Sequence, residues 1–173
     1  MKIHLLAITI SALLLLLGGA AYSEEPLPAP RYSIMQDAPP TGSAIRRKRL
    51  ESDLPLNKRW DELTAAQQRS FRDLYDAMKD SDEPPYPMNG LEPLYKGIAK
   101  AHDILRKSGT LDLEVRVSAA GDAMSVAIFK SPTPEVAKAA AGMLMLQKYK
   151  PAKCGGQPCA MSFPLRMELT QEP

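Results

Sequence analysis

The residues best placed to do chemistry are two cysteines. Cys154 and Cys159 bracket the segment Cys154-Gly155-Gly156-Gln157-Pro158-Cys159. An even, closely spaced pair in an exported chain reads as a disulfide. Gly155-Gly156 permits the tight reversal that brings two Cβ atoms together. A redox pair would take the form Cys-x-x-Cys at a helix N-terminus; here four residues intervene and the pair follows a helical stretch. A metal site needs more ligands. Of the two histidines, His4 lies in the apolar leader, which leaves His102. His102 sits beside an apolar helical stripe with no acid or nucleophile signature near it, so it reads as a partly exposed helical histidine. No Ser-His-Asp set, carboxylate pair or Gly-rich phosphate loop stands out. The expectation is a protein without catalytic residues, metal or cofactor.

Export itself is read from the first residues. Lys2 gives a thin positive region, Ile3 to Leu17 is almost wholly apolar, and Gly18 to Ala21 are small. Ala21-Tyr22-Ser23 offers small side chains at the two positions a signal peptidase reads, which places the cut between Ser23 and Glu24. An uncleaved inner-membrane anchor facing the periplasm is the alternative. The apolar run of about 15 residues is shorter than the ~20 a spanning helix needs, and Pro26, Pro28 and Pro30 cannot extend it. Residues 1–23 are therefore expected to be a signal peptide and the mature chain periplasmic.

Charge and composition exclude other partners. The formal net charge is +2 and aromatics make up 6% of residues, too few for a base-stacking surface. The dense basic run Arg46-Arg47-Lys48-Arg49 is offset by Glu51, Asp53, Asp61 and Glu62 and reads as solvated surface, so nucleic acid is not expected.

Behind the leader, residues 24–57 are rich in proline and basic residues without periodicity, and read as a disordered tether. Residues 58–83 read as a helical extension. Thr64 and Gln67 form a capping box, and Leu63, Gln67, Phe71, Leu74, Tyr75 and Met78 share a face as far as Asp80. Pro84-Pro85 then forbids continuation. A second helix is expected over 91–107, from the stripe Leu91, Leu94, Ile98, Ala101 and Leu105, with Gly109 ending it.

Alternation of apolar and polar residues marks strands at Leu111–Val117 and Met124–Phe129, joined by a turn at Gly121. Thr133-Pro134-Glu135 opens a third helix with a cap, a proline at the first position and an acid at the positive pole. It is expected to run to about Lys148, with Met143 to Leu146 buried all round. A terminal strand alternates from Met161 to Leu169. Pro164 has no amide to donate, so this strand belongs at a sheet edge, where a partner strand can add. The fold class is α+β. A small antiparallel sheet of hairpin, helix and terminal edge strand, residues 84–173, is preceded by two helices.

This order resembles the C-terminal domain of TonB-type energy transducers. The residues that carry the resemblance are Pro85-Tyr86-Pro87, the hairpin Leu111 to Val117 with Gly121 and its return, Tyr149-Lys150-Pro151-Ala152, Gly156-Gln157-Pro158, and Phe163-Pro164-Leu165-Arg166-Met167-Glu168-Leu169. The resemblance implies a non-enzymatic domain that pairs with an extended segment of an envelope protein such as an outer-membrane transporter. Partner-strand contacts would then fall on Met161, Phe163, Pro164, Leu165, Arg166, Met167 and Leu169. A free edge equally admits a second copy of the chain, as a homodimer. Family transducers keep an uncleaved N-terminal helix coupled to a proton-driven motor, whereas this leader reads as cleaved. The expected function is a soluble periplasmic adaptor, with an anchored transducer as the alternative.

Overall fold

A computed structural model describes residues 32–34 and 54–170. In chain order the elements are β1 (Tyr32–Ile34), a 3-10 turn (Trp60–Glu62), α1 (Ala65–Arg72), β2 (Tyr86–Pro87), α2 (Glu92–Leu105), β3 (Gly109–Val117), β4 (Ala123–Lys130), α3 (Pro134–Leu146), β5 (Tyr149–Lys150), β6 (Ala152–Cys154), β7 (Gln157–Cys159) and β8 (Met161–Leu169). The main sheet has the order β1-β4-β3-β8. β3 runs antiparallel to both neighbours, and β1 lies parallel to β4. The α+β architecture follows the expectation, and β8 has the bounds its alternation predicts.

A period of two gives the sheet one apolar face. Leu111, Leu113, Val115 and Val117 of β3, Val126 and Ile128 of β4, and Met161, Phe163, Leu165 and Leu169 of β8 are all buried. Leu94 and Ile98 of α2, with Val136, Ala137, Ala140, Ala141 and Leu144 of α3, are buried with them. The run of alanines lets α3 approach β3, β4 and α2 closely. Thr133 caps α3 as expected, its hydroxyl accepting the Val136 N–H. Gly121 turns the hairpin with φ 87°, and a Cβ there would lie 2.2 Å from the Tyr149 carbonyl oxygen. The Tyr149 N–H donates to the Gly121 carbonyl at 3.0 Å, which ties the hairpin to β5.

Several expected boundaries are corrected. α1 stops at Arg72, not near Asp80. The Asp73 N–H still bonds to Arg69 O, but Leu74 and Tyr75 close tighter turns onto Phe71 O and Arg72 O. The Arg72 guanidinium then donates to the Lys79 carbonyl and folds the chain back. α2 stops at Leu105, where Arg106 takes the left-handed conformation (φ 50°); Gly109 opens β3 instead of ending the helix. α3 stops at Leu146 because Gln147 must be extended to lead into β5, which pairs with β2. The expected burial of its whole apolar end fails there: Leu144 is buried but Leu146 is 85% exposed.

The tether expectation is also corrected in part. Tyr32–Ile34 pairs with Val126, Ala127 and Ile128 of β4, and Leu54 is buried in the core. The expected signal peptide, its cut between Ser23 and Glu24, and the basic run at 46–49 lie outside the described residues. No helix among the described residues is long and apolar enough to cross a membrane.

Candidate functional site: the outer edge of the terminal strand

β8 pairs with β3 without a bulge, from Gly109↔Leu169 to Val117↔Met161. Among the described residues nothing pairs with its other side, so it forms a sheet edge. The direction of its main chain follows from one residue. Pro164 lies opposite Glu114 and has no N–H to give, so its main chain faces away from β3. Main-chain direction alternates along a strand, so Ser162, Arg166 and Glu168 face outward with it. A side chain agrees: the Tyr75 hydroxyl donates to the Ser162 carbonyl at 2.9 Å, which requires that carbonyl to face away from β3.

The side chains alternate the other way. Met161, Phe163, Leu165 and Leu169 are buried, and their main chain serves β3. What the expected contact residues offer a partner is therefore narrower than the seven-residue set suggests: the outward main chain of Arg166, the half-buried Met167, and Pro164 as a non-donor. Ser162 and Glu168 share the outward direction and were not singled out from sequence, although the same alternation places them there. Arg166 forms a short ion pair with Asp112 directly across the ladder, and both side chains are largely shielded.

An aromatic cluster drawn in part from the extension packs beside the N-terminal half of this edge. Phe71 stacks on Phe163 with centroids 5.9 Å apart and meets Tyr86 edge-on at 5.3 Å. Trp60 packs on Phe71 and Tyr86, and Tyr149 on Phe163. Tyr75 is buried beside Phe71. Burial first, and the Glu114 carboxylate second, push the Tyr75 hydroxyl well above its ordinary pKa, so it stays a donor. Burial likewise pushes Tyr86 up to about 12.

The cysteine hairpin is a separate, stapled unit. Cys154 and Cys159 form a disulfide with Cα atoms 5.8 Å apart. Gly155 and Gly156, both at positive φ (57° and 82°), make the two-residue turn between β6 and β7, the geometry a twisted hairpin favours. Glu83 and Lys153 exchange main-chain hydrogen bonds of 2.9 Å each, and Asp82 accepts the Gly155 N–H at 2.8 Å. The Glu83 carboxylate also bridges Lys150 and Lys153 at 3.0 Å each. Partial burial works to raise its pKa, but the hydrogen bonds from Lys153 and Lys150 outweigh it and lower the value. Lys150 in turn lies 5.3 Å above the Trp60 ring. These groups line a cleft of about 630 Å³ that also includes Arg59 and Arg72. Its charges are committed to one another, and it offers no nucleophile–base pair. Among the described residues no three His, Cys, Asp or Glu side chains gather as a metal ion would need.

No curated protein and no solved structure matches the chain. A family model does, over residues 99–169, described as the Gram-negative bacterial TonB protein C-terminal. That stretch runs from within α2 through β3, β4, α3 and the cysteine hairpin to the last residue of β8. The matched residues, which supply β3, β4 and β8 of the sheet, are similar to a TonB C-terminal domain, and the extension carrying Trp60, Phe71 and Tyr75 lies outside them.

Proposed function

We propose that this is a non-enzymatic, periplasmic TonB-like adaptor that engages an envelope protein by strand addition at the outer edge of β8. The observation that carries the reading is the outward main chain of Arg166 and Glu168, which no described residue occupies, on a strand whose inner side is fully paired. Main-chain bonds along such an edge supply affinity, and alternating side chains supply register. The family match supports a protein-binding role in the envelope, and an extended segment of an outer-membrane transporter fits that role. A second reading, in which the same domain stays anchored and transmits energy to the transporter, requires the apolar run from Ile3 to Leu17 to stay uncleaved.

A photo-crosslinking residue at Glu168 of the full chain, expressed in its cell, tests the reading. The expected product is a crosslink to an outer-membrane transporter identified by mass spectrometry, absent from a control at the exposed Met124. Recovery of the protein alone from the Glu168 position would sink strand addition to a transporter. The mass of the mature protein separates the two forms: a start at Glu24 gives the adaptor, an intact N-terminus the anchored transducer.

A further inference from the structure

We propose that the extension is a stop on the β8 edge, confining an incoming strand to Arg166–Leu169, and that Tyr75 sets the limit. The inference rests on the strand-addition reading and narrows it. An added strand takes N–H and C=O groups from alternate residues of the edge. On β8 those residues are Ser162, Pro164, Arg166 and Glu168. The Ser162 carbonyl already accepts from Tyr75 at 2.9 Å. Pro164 has no N–H. Two successive positions are thus impaired by independent causes, one a side chain from far away in sequence and the other a residue type.

Tyr75 is not a loose side chain that a partner would brush aside. It is 3% exposed, packs against Phe71 at 6.3 Å, and Phe71 is itself wedged between Phe163 and Tyr86. Moving Tyr75 means opening an aromatic cluster. From Arg166 onward the edge differs. No hydrogen bond from a described residue reaches the outward main chain of Arg166 or Glu168, and both residues retain donor and acceptor.

The free stretch also specifies the partner. Residues opposite one another on adjacent strands share a face of the sheet. A strand beside Arg166–Leu169 would place polar side chains next to Arg166 and Glu168, on the face of the Asp112–Arg166 ion pair. Its residue between them would lie next to the half-buried Met167. The fitting segment is short, extended, and polar–apolar–polar in pattern.

The test uses the full chain with a photo-reactive phenylalanine analogue at Ser162 or at Glu168. The probes are synthetic peptides of that pattern, copied from periplasm-facing segments of outer-membrane transporters. The expected result is a peptide crosslink at Glu168 at least tenfold stronger than at Ser162. In the Tyr75→Leu background, which keeps apolar bulk against Phe71 but removes the hydroxyl and the reach of the ring, the Ser162 crosslink should rise to within about twofold of that at Glu168. Equal crosslinks at both positions in the wild type would overturn the stop while leaving strand addition standing. A Ser162 position that stays silent in Tyr75→Leu would show that Tyr75 does not set the limit. Crosslinks at neither position would remove the strand-addition reading and the stop with it. If Tyr75→Leu fails to fold, the wild-type pair of positions decides alone.

Discussion

Two strands, β4 and β8, flank β3, and the chain treats their far sides differently. Beside β4 it lays three residues of its own backbone, Tyr32–Ile34, in a parallel ladder. Beside β8 it adds no strand among the described residues. It places the Tyr75 hydroxyl on one carbonyl and removes one donor with Pro164, leaving the rest of the edge open. Exposed edges invite association, and proteins blunt them by pairing, covering or interrupting them. A backbone ladder blunts an edge residue by residue but depends on holding a short segment in place. A side-chain cap blocks one point and is as firm as the packing behind it. The two edges should therefore differ in how firmly they are closed and in where a partner finds room.

The packing behind Tyr75 gives the largest test. Phe71 is 2% exposed and touches Trp60, Tyr75, Tyr86 and Phe163. Phe71→Ala should cost about 3–5 kcal/mol, the usual penalty for emptying a buried aromatic site, measured as the urea unfolding midpoint. It should also release Tyr75 and let peptide crosslinks reach Ser162. A loss of stability with the Ser162 position still silent would mean that the β8 edge is closed by Pro164 alone.

Breaking the cysteine staple should cost less and leave both edges as they are. The disulfide joins residues five apart. Loop-closure entropy for so short a ring gives about 2 kcal/mol, and the hairpin keeps its Glu83–Lys153 ladder without it. Cys154→Ser should lower stability by about that amount or less while peptide crosslinking at Glu168 is unchanged. Loss of binding without loss of fold would instead make the cysteine pair part of the function.

Alkali should separate the two kinds of closure. Burial and the Glu114 charge raise the Tyr75 pKa. A raised folded-state value means that the neutral hydroxyl's contribution is complete below about pH 10, the ordinary tyrosine value, and is lost as pH climbs toward the folded value. Above about pH 10 the wild type should therefore lose stability more steeply than Tyr75→Phe, which has no proton to lose. Tyr86 and Tyr149, also raised by burial, titrate in both proteins and cancel in the difference. Parallel pH curves for the two proteins would refute the buried-donor role. The β1–β4 ladder contains no hydroxyl in its main-chain bonds and should show no such dependence.

How much of this was legible in the sequence differs along the same lines. β8 was readable from Met161 to Leu169 because alternation is a local signal, and its edge position because Pro164 lacks a donor. The Thr133-Pro134 cap, the hairpin and the stapled Gly-Gly turn are local as well. The cover on β8 was not readable. Tyr75 and Ser162 are far apart in sequence, and the helical stripe that includes Phe71, Leu74 and Tyr75 is compatible with packing anywhere. Its expected continuation to Asp80 concealed the turn after Arg72 that brings Tyr75 onto the edge. Trp60 sits in a stretch with no period at all, and its place in the cluster depends on Phe71 and Tyr86 together. β1 was missed for a related reason: three residues are too few to show a period of two, and the prolines around them signalled a tether.

The brevity of β1 also sets the smallest prediction. Fixing each residue's backbone costs roughly 1–2 kcal/mol, while each main-chain hydrogen bond returns a net of roughly 0.5–1.5 kcal/mol. Over a three-residue strand these nearly cancel, so the ladder should open locally without the core noticing. Replacing both Tyr32 and Ser33 with proline removes donors of both alternations. It should change global stability by less than about 1 kcal/mol, yet speed amide exchange several-fold at those β4 positions between Val126 and Ile128 that face β1. The β8 edge should be untouched, with peptide crosslinks still confined to Glu168. A global loss of several kcal/mol would make β1 a structural strand like β8. An exchange pattern unchanged by the prolines would mean that the β4 edge is protected by something other than Tyr32–Ile34. The predicted combination, an edge that opens at almost no global cost beside one that opens only with its aromatic cluster, is what makes β4 the adjustable side of the sheet and β8 the one with a fixed address.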